Sequence, residues 1–97
     1  MTFNEMTVRA PAMIDPLNVD AFAAELAGSP ANAALKIDAT DVTFIDSSGL
    51  RVLIEARTRQ VEGGGHFMVI NPSPAVTRLL ELTGLSELLL TGIVAPN

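Results

Sequence analysis

The stretch Asp46-Ser-Ser-Gly-Leu-Arg-Val-Leu-Ile-Glu-Ala-Arg-Thr-Arg-Gln-Val-Glu-Gly-Gly-Gly65 reads as a loop, a helix and a stop. Asp46, Ser47 and Ser48 are all residue types that cap helix starts. Leu50, Leu53, Ile54 and Val61 recur at helical spacing and make one apolar stripe. Glu55, Arg57, Arg59 and Glu62 fall on a solvated face. Gly63-Gly64-Gly65 ends the helix, because glycine takes the left-handed C-cap conformation at little steric cost. The pattern predicts a helix that starts after Asp46-Ser47 and runs to about Glu62.

The flanking segments alternate between short apolar runs and further helical patterns. Met6 to Ala10 is a short strand, continued after Pro11 by Ala12 to Ile14. Val19, Phe22, Ala23 and Leu26 line one face of a helix over Val19–Ala27, with Asp15 or Asn18 as its cap and Gly28-Ser29-Pro30 as its stop. Ala34 to Asp38 reads as a buried strand, and Asp41 to Ile45 brings the chain to a turn. Phe67 to Ile70 suits a central strand. Ser73-Pro74 opens a third helix, with Ser as cap and Pro in the first turn, Val76, Leu79 and Leu80 facing inward, and Gly84 closing it. Leu85 to Leu89 adds a helical turn, and Leu90 to Val94 a last strand. The alternation predicts a single α/β domain over residues 1–97, a four- or five-stranded mixed sheet with flanking helices, largely parallel in its centre.

Composition narrows the function. A chain of 97 residues holds one domain. Its core is aliphatic, since Trp and Tyr are absent. The absence of cysteine excludes disulfides, thiol catalysis and thiolate metal sites. No apolar run is long enough to span a bilayer, and the N-terminus lacks the layout of a signal peptide, so a cytoplasmic location without membrane insertion is expected. A net charge of −5 disfavours direct binding to nucleic acid and points to a protein partner.

Asp46-Ser47-Ser48-Gly49-Leu50 lies at a loop-to-helix junction, where unpaired amides and the helix dipole favour an anion. A phosphate on Ser47 would find donors there and would add about −1.5 to −2 charges. Plain capping by Asp46, Ser47 or Ser48 explains the same residues. Ser47 as a catalytic nucleophile lacks a general base, because the sole histidine, His66, lies beyond the triglycine turn. Asp46 as a receiver-type phosphoacceptor lacks a late lysine, since the sole lysine is Lys36. One histidine makes no metal site, and the triglycine lacks the Lys-Ser/Thr of a phosphate-binding loop. No cofactor is expected.

The stretch Val42-Thr-Phe-Ile-Asp-Ser-Ser-Gly-Leu50 resembles the signature of the STAS family, especially its bacterial anti-sigma factor antagonists. The resemblance continues through Gly64-Gly65 and through Asn71-Pro-Ser-Pro-Ala-Val-Thr-Arg-Leu-Leu-Glu-Leu-Thr-Gly-Leu85, with a weaker match at Ile14-Asp15. It implies a module without catalysis of its own. The unphosphorylated module binds an anti-sigma factor that is also a serine kinase, and the sigma factor is released. Phosphorylation at Ser47 switches it off, and a metal-dependent serine phosphatase restores it; ATP and magnesium belong to the kinase. Asp46, Ser48, Gly49, Leu50 and Arg51 complete the switch loop and partner-binding surface in that scheme. The chain departs from the family in three places: it is about one N-terminal strand short, Pro11-Ala12-Met13 replaces a usual glycine, and Arg51 stands where a small residue is common. The resemblance also admits a regulatory subunit of a membrane lipid ABC transporter, or a scaffold in a stress-sensing complex. Paired serines favour the antagonist.

Overall fold

The computed structural model describes residues 4–90. Three strands, β1 (Glu5–Arg9), β3 (Ala34–Asp38) and β5 (His66–Ile70), form a sheet in the order β1-β3-β5. Two further strands, β2 (Met13–Ile14) and β4 (Phe44–Ile45), form a short ladder of their own. They follow β1 and β3 in the chain, beyond breaks at Pro11 and at Ala39–Val42. Every one of these pairings is parallel. The α/β architecture with flanking helices is as expected. The mixed character is not found among the described residues, where β3 lies between β1 and β5. The strand expected at Leu90 to Val94 lies outside the described residues beyond Leu90, which ends a helix.

The helices are α1 (Val19–Ala27), α2 (Ser47–Glu62), α3 (Pro74–Thr83) and α4 (Ser86–Leu90). Their starts follow local chemistry. Ser73 caps α3 by accepting from the Val76 amide at 3.3 Å. At α1, Asp15 Oδ1 accepts from the amides of Leu17 and Asn18 at 2.9 and 3.1 Å, while Asn18 Oδ1 accepts from the Asp15 amide at 2.9 Å. Two short polar side chains thus lock a turn ahead of the first helical residue, and neither acts as a conventional cap.

Alternation along the strands sorts the sheet into two faces. Val8, Leu35, Ile37, Phe67 and Val69 point to one side and are buried with Phe22, Leu26, Leu53, Val76, Leu80 and Leu89 from the helices. Glu5, Thr7 and Arg9 are exposed on the other side, with Lys36 and Asp38 half-buried beside them. Ion pairs bind this polar face, Glu5 Oε1 to Lys36 Nζ at 3.3 Å and Arg9 Nε to Asp41 Oδ2 at 2.8 Å.

Two features of the α2–β5 corner were not legible as such. Gln60 is fully buried. Its amide donates to the carbonyls of Pro30 and Ala33 at 3.0 and 3.1 Å, fixing the loop into β3. The triglycine does more than stop a helix. Gly64 takes the left-handed conformation at φ +85°, whereas a Cβ at Gly65 would stand 2.2 Å from the Ala33 carbonyl oxygen. Gly65 is therefore required by close backbone approach.

The inner stripe of α2 is uneven. Leu53 is 2% exposed, but Ile54 is only partly buried. Leu53→Ala should lower stability by about 2–5 kcal/mol, the range for a buried leucine whose cavity collapses incompletely. Ile54→Ala should cost clearly less. Urea melts check this; equal losses for the two variants would contradict the assignment of the inner face.

Candidate functional site

The β2–β4 ladder positions the site. Its register sets Ile14 beside Ile45, and the Asp46 amide donates to the Ile14 carbonyl at 3.4 Å. Two helices that follow neighbouring parallel strands begin at the same end of them. The first turns of α1 and α2 therefore face each other across an open recess. Val19 and Asp20 line it from α1, and Ser47, Ser48, Arg51, Val52 and Glu55 line it from α2.

Asp46 is the cap of α2. Its Oδ1 accepts from the Ser48 amide at 2.9 Å, from the Gly49 amide at 3.4 Å and from the Ser48 hydroxyl. The capping role that Ser48 could have held thus belongs to Asp46, and Ser48 supports that carboxylate from the helix. These bonds favour the charged form: the Ser48 hydroxyl first, then the two amides, hold the Asp46 carboxyl below its ordinary range. The Ser48 and Gly49 amides expected to greet a phosphate on Ser47 are therefore already occupied by a carboxylate.

Ser47 is exposed in the first turn, and its hydroxyl makes no bond to Asp46. Arg51 projects into solvent, with Nε 3.9 Å from Glu55 Oε2. Gly49 and Leu50 turn inward and are buried. A Cβ at Gly49 would stand 2.6 Å from Ile14 Cγ2 and 2.8 Å from Ile45 Cγ1. Of the six residues singled out in the sequence, Ser47 and Arg51 present accessible surface, Asp46 and Ser48 form the cap, and Gly49 and Leu50 seat the helix. Asp20 and Glu55 also line the recess; only knowledge of how α1 meets α2 brings them there.

Two comparisons bear on this arrangement. The model of a family described as "Mlab, STAS domain" matches residues 1–91, and the chain belongs to that STAS family. A solved structure of an anti-sigma-factor antagonist (STAS) domain protein from Planctomyces limnophilus superposes with a TM-score of 0.72 at 19% identity, over 92% of this chain and 89% of that one. At that identity the likeness establishes a shared fold.

The cap and the glycine contact each generate an expectation. Asp46 titrates lower in the folded chain than in the unfolded one, so its contribution is present above the unfolded carboxyl value and is lost as pH falls through the folded value. Asp46→Asn should flatten the fall in stability with acid, measured by urea melts between neutral pH and about pH 3. Gly49→Ala should destabilise by about 1–3 kcal/mol, because the added methyl must displace Ile14 and Ile45. A Gly49→Ala melt that overlays the parent would show that α2 does not sit this close to the ladder.

Proposed function

We propose that the chain is a phospho-switchable antagonist of an anti-sigma factor, a cytoplasmic binding module without catalysis of its own. In this reading the unmodified protein binds an anti-sigma factor serine kinase and releases the sigma factor. Phosphorylation at Ser47 by that kinase ends the interaction, and a serine phosphatase reverses it. The observation that carries the reading is the division of labour between the paired serines. Ser48 is engaged with the Asp46 cap, while Ser47 is exposed at the mouth of the recess. Among the described residues no helix is long and apolar enough to cross a membrane.

The electrostatics support a switch that acts on the surface more than on the fold. A dianion on Ser47 would meet the Asp46 carboxylate on its own turn and Asp20 and Glu55 along the recess. Arg51 is the one cation lining that recess among the described residues. In this reading the phosphate stays at the surface, held by Arg51, and a partner surface fitted to a neutral serine must desolvate it or oppose it. Arg51→Ala should then speed dephosphorylation.

A second reading keeps the same recess as a docking surface but changes the partner: a regulatory STAS subunit on the ATPase of a membrane lipid ABC transporter. The description of the matching family model, which names Mlab and not an antagonist, favours retaining it.

Phosphosite mapping after incubation with the cognate kinase and ATP separates the readings. Phosphate on Ser47 is expected. Ser47→Ala should stay folded, resist modification and still bind the anti-sigma factor in a pull-down, and Ser47→Asp should bind less. Phosphate on Ser48, or on neither serine with a kinase shown to be active, would overturn the antagonist reading and shift weight to the transporter subunit.

A further inference from the structure

The outer edge of β1 pairs with nothing among the described residues. In a parallel pair, alternate residues of a strand turn their backbone groups toward a given neighbour. The Asn4 carbonyl accepts from the Ala34 amide at 2.8 Å, and the Ala10 amide donates to the Asp38 carbonyl at 2.9 Å. Even-numbered residues therefore face β3, and Glu5, Thr7 and Arg9 direct their N–H and C=O groups to the free edge.

We propose that this edge is a self-complementary interface through which two copies of the chain join, β1 against β1, antiparallel about a two-fold axis at Thr7. In that register Glu5 stands opposite Arg9 of the second copy, Arg9 opposite its Glu5, and Thr7 opposite Thr7. All three are hydrogen-bonded pairs made from the backbone groups that point outward. On the helix-covered face, Met6 stands opposite Val8. Met6 is 36% exposed and gains an apolar neighbour there. On the polar face the two ion pairs of each copy merge into alternating rows, Lys36–Glu5–Arg9–Asp41, running from one copy to the other.

Charged residues on a sheet edge commonly prevent self-pairing. A strand built to repel its own copy needs like charges at positions related by the two-fold axis. Here the related positions hold opposite charges, which is why the occupant is a second copy of this chain. The interface is a single pair of five-residue strands, so association is weak, in roughly the micromolar-to-millimolar range.

The test is sedimentation equilibrium of the full chain up to about 1 mM, with circular dichroism to confirm folding. The parent is expected to shift from monomer to dimer across the series. Thr7→Pro removes an N–H that faces the free edge and none that bonds β3, a position where an edge strand tolerates proline. By symmetry it deletes two intermolecular bonds and should weaken the dimer at least about tenfold. Glu5→Arg and Arg9→Glu should each be monomeric where the parent dimerises, because each creates two like-charge pairs. An equimolar mixture of those two variants restores opposite charges at every pair and should return to the dimer. A parent that stays monomeric at about 1 mM, a dimer unaffected by a folded Thr7→Pro variant, or a mixture no more associated than its components would each overturn the proposal.

Discussion

No methyl group fits between the second helix and the short ladder beneath it. The 2.6 Å that would separate a Cβ at Gly49 from Ile14 Cγ2 lies far inside any real contact. Glycine in a helix normally costs stability, and here that cost is offset by the approach it permits. Because α2 can settle onto Ile14 and Ile45, its first turn comes level with that of α1. The same seating puts Asp46 where one carboxylate oxygen serves two amides and a hydroxyl. The recess, the exposure of Ser47 and the direction of Arg51 all follow from it.

The cap shapes the chemistry available to Ser47. A helix N-terminus is a ready site for an anion when its amides are unpaired. In this chain the resident anion is Asp46, so a phosphate on the neighbouring serine would compete with it or project outward. Projection is the cheaper course, because displacing Asp46 would also abandon the Ser48 hydroxyl. A modification at Ser47 would therefore leave the helix start intact and change the field that a partner meets. The acidic residues along the recess act in the same direction, with Arg51 as the counterweight.

Periodicity made the long elements legible. Val19–Ala27 and Ala34–Asp38 occupy the spans their apolar spacing marks, and Ser73-Pro74 opens α3 as its caps imply. The β2–β4 ladder was less visible. Ala12 to Ile14 is marked as strand, but the two residues of β4 carry too little alternation to register, and Asp41 to Ile45 reads as a turn because its pairing partner lies some thirty residues away. Gly49 in sequence resembles any small residue at a helix start; its packing role exists only once Ile14 and Ile45 are in place. Likewise nothing in the helical pattern marks Gln60 for burial; its role exists only once the Pro30–Ala33 loop covers it. Asp46 and Ser48 are equally good caps by type, and backbone geometry chose between them.

The two faces of the sheet also bear on how its edge is held. Parallel sheets usually have both faces covered, but here the helices bury one face and ion pairs span the other. The central strand β3 is bonded on both sides. Among the described residues β1 has one neighbour and a single buried side chain within its span, Val8, while Glu5, Met6, Thr7 and Arg9 are exposed. Surface ion pairs such as Glu5–Lys36 and Arg9–Asp41 each add little to stability. β1 is therefore the least secured strand of the sheet, held chiefly by its backbone ladder to β3. A strand so placed has the most to gain from a second backbone partner. The alternating charges that add little within one copy become consequential as a pattern, because they specify which partner strand fits and in which register.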